Sequence, residues 1–231
     1  GPPHRQRPAW PRRTVNCQVT AGPTYEPLDQ VRRLTNASTG RLGIELANDL
    51  VDRGHVVSLL LGALASWAGP CRANHIERFT TVADLHQRLQ QQAGKPIGAV
   101  FHAAAVSDFR FGRVFEQPTP GELRVLETAK HPTRAGVLLA ELVPTPKVIA
   151  ELRTWFPEAF LAGWKFEVDG TRQGVIQRCQ DQLRDCNTDV CVANGPAYGP
   201  GYGIVAPGGE VVHAADAPEL YAQLERRLHS R

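Results

Sequence analysis

Apolar residues fall into two patterns along this chain. One is the short unbroken run: HVVSLLLG at 55–62, IGAVFHAA at 97–104, AFLAGW at 159–164 and DVCVA at 189–193. Runs of this kind without alternation read as parallel strands buried on both faces, and residues 14–20 fit the same description. The other pattern is helical. Leu42, Leu46, Leu50 and Val51 give residues 40–53 one apolar face, and Gly54 ends that helix. Further helices are expected at 81–92, capped by Thr81 with Asp84 three residues on, at 144–153, opened by Pro144-Thr145-Pro146, and at 171–184 and 217–228. Short strands are expected at 75–80 and 137–143, and a hairpin at 202–205 and 210–213 turns around Pro207-Gly208-Gly209. Residues 110–132, rich in proline, break the alternation and read as a flap. The β-α-β-α-β order predicts an α/β fold: a doubly wound, mainly parallel Rossmann-like sheet with helices on both faces, a flap and a C-terminal β-hairpin.

In such sheets, ligands bind beyond the carboxyl ends of the strands. Three polar corners belong on that rim. The first is the long Gly/Pro/Thr/Ser/Asn stretch after residue 20, which opens a helix at Ser38-Thr39-Gly40. Unpaired amides and the helix dipole make such an N-terminus an anion site. Arg32, Arg33 and Asn36 lie in the same stretch, and arginine can hold a phosphate or carboxylate bidentately. The stretch exceeds the ~2–6 residues of an ordinary βα connection, which points to function. The second corner is Ala105-Val106-Ser107-Asp108-Phe109, and the third is Lys165-Phe166-Glu167.

Composition narrows the class. With 231 residues, 42% hydrophobic and 21% charged, the chain is expected to be a globular protein with one sizeable core, spanning 14–231 as a single domain with its flap at 110–132. The Pro/Arg-rich residues 1–13 read as a disordered arm or a cloning remnant. A net charge of +3 gives no argument for nucleic-acid binding but suits a locally basic pocket. The five cysteines are scattered without a C-x-x-C pair, which argues against a zinc or redox motif and fits a reducing cytoplasm. No hydrophobic run is long enough to span a membrane. Only four lysines occur: Lys95, Lys130, Lys147 and Lys165.

The corners together carry a resemblance. VTAGPTYEPLDQVRRLTNASTGRLG, AAAVSDF, LVPTPKVIAEL with FLAGWKFEVDG, and DVCVAN follow one another as the motifs of the phosphopantothenoylcysteine synthetase (phosphopantothenate–cysteine ligase) family do. The likeness covers about 14–194. It implies a ligase of coenzyme A synthesis that joins 4'-phosphopantothenate to cysteine through an acyl-nucleotide, with CTP or ATP as co-substrate and Mg2+ assisting. It also implies a homodimer whose partners are these small molecules. By the same resemblance, Asn36 grips the intermediate and Arg32 anchors phosphate or carboxylate. Gly22, Ser38, Thr39 and Gly40 cradle phosphates. Ala104, Ala105 and Phe166 line the base pocket, and Asp108 takes ribose hydroxyls or the metal. The family's lysine cluster in the flap is reduced here to Lys130, with Lys165 as the alternative catalytic cation; Lys130→Gln is expected to slow turnover more than Lys165→Gln. The preference between CTP and ATP stays open.

Two other readings remain. One is a non-catalytic nucleotide or phosphopantetheine binder, since a fold does not fix an activity. The other is an NAD(P)-dependent short-chain reductase. Against it, the glycines lie some twenty residues past the first strand, no acidic residue ends the second, and no tyrosine has a lysine four positions on.

Overall fold

The computed structural model describes residues 13–127, 130 and 136–230. The 1–13 arm expected from composition lies outside them except for Arg13. In chain order the elements are β1 (Asn16–Ala21), β2 (Tyr25–Pro27), β3 (Arg33–Thr35), α1 (Arg41–Asp52), β4 (Val56–Gly62), β5 (His75–Phe79), α2 (Val82–Gln90), β6 (Ala99–His102), β7 (Phe109–Gln117), β8 (Arg124–Val125) and β9 (Val137–Pro144). They continue with α3 (Val148–Trp155), β10 (Phe160–Phe166), α4 (Arg172–Cys186), β11 (Val190–Asn194), β12 (Tyr202–Val205), β13 (Val211–Ala214) and α5 (Ala217–Leu228).

Eight strands form one sheet in the order β13-β12-β11-β10-β6-β1-β4-β5. The six strands from β11 to β5 are parallel, and β12 and β13 add the antiparallel hairpin at one edge. The unbroken apolar runs became the central strands because both faces are covered. Cys17, Val19 and Ala21 of β1 pack with α1 and α5, and Val100 and Leu161 pack with α2 and α3 on the opposite face. Each fully buried Leu or Val adds about 1.5–3 kcal/mol relative to exposure. Thr81 and Thr171 cap α2 and α4, and Asp216 caps α5, each accepting from a backbone N–H three residues on.

Three expectations need amendment. The long first loop contains a small hairpin, β2 with β3. The strand at 137–143 belongs to the flap: β9 pairs with β7, which also pairs with β8, giving a separate three-stranded sheet. Helix α3 starts at Val148, later than the proline-opened start at 144. Pro144 pairs with Phe109 in the flap sheet, and the Thr145 N–H donates to the Asp108 carbonyl at 2.9 Å, so this backbone is committed to the rim corner before the helix begins. The flap leaves Val125, Val137, Leu139 and Leu142 exposed. Among the described residues, no helix is long and apolar enough to cross a membrane.

The strand order reverses direction between β1 and β6, which makes their carboxyl ends the topological switch point. Helix α1 reaches that point closely because Gly43 has no side chain. A Cβ there would lie 2.5 Å from the Ala21 Cβ. Gly43→Ala is expected to destabilise the fold by about 1–3 kcal/mol through overpacking, read as a lower urea midpoint with unchanged slope. Wild-type stability in that variant would show that the α1–β1 approach can relax.

Candidate functional site

A cleft of about 860 Å3 opens at the switch point. One wall is the first loop and the β6 corner, with Asn36, Ser38 and residues 103–108; the other is α3, the end of β10 and the outer turns of α4. A smaller recess of about 390 Å3 surrounds the start of α1 and shares Ser38, Leu42 and Ala103 with the cleft. Helix α1 has Gly40 at its cap, in left-handed conformation with φ 80, and no side-chain cap bond. The Arg41 N–H donates to Thr39 Oγ1 at 3.3 Å, and Leu42 and Gly43 of the same first turn line the recess, an N-terminus that suits an anion.

The rim loops are tied together past the strand ends. The Ala105 N–H donates to the Gly22 carbonyl at 3.0 Å, and the Ala105 carbonyl accepts from the Thr24 N–H at 3.1 Å. The same carbonyl accepts from Asn36 Nδ2 at 3.0 Å. One amide hydrogen of Asn36 is thus used in positioning, and its other hydrogen and its carbonyl remain for a ligand. Thr145 Oγ1 donates to the Ser107 carbonyl at 2.6 Å, joining α3's approach to the same corner. Asp108 is exposed at the mouth.

His102 ends β6 at the floor and is 6% exposed. Its Nδ1 lies 2.9 Å from Thr20 Oγ1, which also accepts from the Ala104 N–H at 3.2 Å. Burial lowers the His102 pKa from 6.5 to about 4, so the ring is neutral at physiological pH. Three cationic residues, Lys147, Lys165 and Arg178, line the cleft, as do Asp181 and Asp185. Arg178 reaches Glu167 at 2.7 Å and Lys165 lies 3.8 Å from it. Cys186 also lines the cleft; burial pushes its thiol pKa up, while nearby Lys147 and Lys165 pull it down. Phe166 projects at the strand end, 63% exposed.

Asn36, Ser38, Ala104, Ala105, Asp108, Lys165 and Phe166 therefore meet in one cleft, and Ser38, Thr39 and Gly40 line the adjoining recess. Three expected residues lie elsewhere. Gly22 lines neither space; its left-handed φ of 79 turns the chain out of β1. Arg32 is bonded to Asp29, with Nε 3.0 Å from Oδ2, and is absent from both linings. Lys130 is exposed in the flap segment, outside the cleft lining. Sequence reasoning missed His102, Lys147, Arg178 and Gln182. A polar residue closing an apolar strand just before a rim corner, and a lysine just after the Thr-Pro of a strand-to-helix junction, were the available signals for the first two.

Residues 13–216 match the family described as DNA/pantothenate metabolism flavoprotein C-terminal domain. The chain belongs to this family. Among its relatives, the coenzyme A biosynthesis bifunctional protein CoaBC of Thermococcus kodakarensis is 33% identical over 178 residues, covering 76% of this chain and 40% of that protein. The chain thus spans well under half the length of that relative. The fold is shared with the DNA/pantothenate metabolism flavoprotein of Streptococcus pneumoniae, with TM-score 0.83, 24% identity, and 94% and 99% of the two chains covered. It is shared also with a Cab2 variant in complex with phosphopantothenate-cysteine, with TM-score 0.72, 21% identity, and 94% and 87% covered. The family resemblance read from the motifs is therefore correct.

Two outcomes follow for this member of the family. Lys165→Gln is expected to weaken binding of inorganic tripolyphosphate about fivefold, the scale of a partly exposed charge, whereas Lys130→Gln leaves it unchanged in the same calorimetric titration. Equal losses would bring the flap lysine into the site. The second concerns pH. His102 takes up a proton at about pH 4 when folded and near 6.5 when unfolded, so the unfolded chain gains protons first as pH falls. Stability should drop between those values by about 3 kcal/mol from this residue alone. Urea unfolding of His102→Gln should show a flatter dependence over that window; a slope equal to wild type would remove the buried neutral ring as its cause.

Proposed function

We propose that the chain carries a phosphopantothenate–cysteine ligase activity of coenzyme A synthesis. The observation that carries this reading is the meeting of Asn36, the 103–108 corner and Phe166 in one cleft that joins the open N-terminus of α1. That is the arrangement an acyl-nucleotide needs: a phosphate cradle, an amide at the acyl group and an aromatic face at the base. The names of the relatives point the same way, since CoaBC is a coenzyme A biosynthesis protein and Cab2 was captured with phosphopantothenate-cysteine.

In the first step, a carboxylate oxygen of 4'-phosphopantothenate attacks the α-phosphorus of CTP or ATP, and pyrophosphate leaves. Like charges must approach, so the barrier falls when fixed donors and cations surround them. The α1 amides and the Ser38 and Thr39 hydroxyls hold phosphate oxygens, and Lys165 offsets charge at the far wall. Asn36, already oriented by the Ala105 carbonyl, donates its free N–H to the acyl oxygen. In the second step, the cysteine amine attacks the acyl carbon and the nucleoside monophosphate leaves. Phe166 presents a flat apolar face to the base. Asp108 is an exposed carboxylate at the mouth, a hard oxygen ligand of the kind that holds Mg2+ together with phosphates; the ion would supply charge neutralisation there. A homodimer and a cytoplasmic setting accompany this reading by family likeness.

The position of Lys130 outside the cleft lining favours one second reading, a binder that holds nucleotide without turnover. Pyrophosphate release from 4'-phosphopantothenate with Mg-CTP or Mg-ATP, with and without cysteine, separates the two. Catalytic release with cysteine and amide product is expected, and Asn36→Asp should reduce it by at least about a hundredfold, the scale of a lost transition-state donor. Nucleotide binding with no release in the wild type would leave the binder standing.

A further inference from the structure

His102 offers the cleft one uncharged donor of fixed identity. Thr20 is fully buried, and its hydroxyl oxygen already accepts from the Ala104 N–H. The hydroxyl proton needs an acceptor, and His102 Nδ1 at 2.9 Å is the one within reach among the described residues. A buried hydroxyl left without an acceptor is costly, so Nδ1 is the unprotonated nitrogen and Nε2 carries the hydrogen. That Nε2–H has no hydrogen-bond partner among the described residues, and the residue lines the cleft. The low pKa adds that the ring stays neutral, with its second nitrogen committed to Thr20.

The surroundings say what kind of ligand atom the donor meets. His102 is the direct sheet partner of Gly163 in β10. Gly163 is covered by α3 and α4: a Cβ there would sit 2.5 Å from Ile149 Cδ1 and 2.5 Å from Gln182 Nε2, so these two side chains pack directly on the strand beside His102. The cleft beside His102 is thus lined by an aliphatic side chain, Ile149, and an amide, Gln182, next to the neutral imidazole. Such a lining suits the edge of a flat polar ring. A phosphate gains more beside the helix N-terminus in the adjoining recess, where amides converge on its charge.

We propose that His102 is a specificity residue of this cleft, its Nε2–H donating a hydrogen bond to an acceptor atom on the base of the bound nucleotide. The inference rests on the nucleotide reading given above. Its test is calorimetric binding of Mg-CTP, Mg-ATP and inorganic tripolyphosphate to the wild type, His102→Leu and His102→Gln. His102→Leu should bind the preferred nucleotide about tenfold to a hundredfold more weakly, the range for leaving one buried polar partner unpaired. Tripolyphosphate affinity should not change. Glutamine places an N–H close to the position of Nε2, so His102→Gln should recover most of the loss, which a purely structural role would not give. Unchanged nucleotide affinity in His102→Leu, or an equal loss for tripolyphosphate, overturns the assignment while the ligase reading stands. A folded wild type that binds neither nucleotide overturns both.

Discussion

The rim depends on hydrogen bonding that continues after the sheet has ended. Strands β1 and β6 stop as strands at Ala21 and His102, yet their loops remain laced together by Ala105 with Gly22, Thr24 with Ala105 and Ala104 with Thr20 Oγ1. Each bond is modest in net stability, about 0.5–1.5 kcal/mol, but leaving any of these groups dry and unmade costs more. That asymmetry gives two irregular loops a single shape. Asn36 inherits its orientation from the same lattice, because the carbonyl it bonds is already fixed by the Thr24 N–H.

Charge is distributed to match. The floor of the cleft is neutral, with His102 held uncharged by burial, and the cations stand at the wall and mouth. A polyanion in this space meets both lysine side chains and the fixed dipoles of the α1 N-terminus. Fixed dipoles in a sheltered site cost little reorganisation when charge shifts, whereas water or loose side chains must reorient. Glu167 holds Arg178 and lies near Lys165, so part of the cationic wall is already balanced at the end of β10.

The sheet was legible because its strands are buried on both faces, and such runs lack the alternation that would make them ambiguous. The helices were legible through their caps: Thr81 and Thr171 mark their starts, and residues 217–228 match α5 throughout. Less legible was anything set by a long-range bond. The late start of α3 follows from Thr145 bonding to Asp108, a partner 37 positions back that no local pattern reveals. The flap was recognised as an interruption, but its third strand lies beyond 132 and pairs back to β7. Within the site, residues in recognisable motifs were found, including Lys165 and Phe166 at the end of β10, and isolated polar residues outside those motifs were not. His102 and Gln182 sit inside a strand and a helix, where their polarity reads as ordinary punctuation of an amphipathic pattern. Arg32 shows the converse limit: a cation in the right loop is bonded to Asp29 instead of lining the cleft.

The flap sheet has a dynamic consequence. Its three strands bond to one another and not to the eight-stranded sheet, and they leave Val125, Val137, Leu139 and Leu142 in solvent. Val114 is the one buried apolar side chain of the flap strands among the described residues, and no flap residue belongs to the core clusters of the main sheet. Such a unit exchanges its amide hydrogens through small excursions that never approach global unfolding. The flap joins the rest of the protein through the Asp108–Thr145 bond, the Ser107–Phe109 bond and the packing of β7 against β2. The cleft borders that seam, since Asp108 and Thr145 both line it, while its other walls belong to the eight-stranded sheet and its helices.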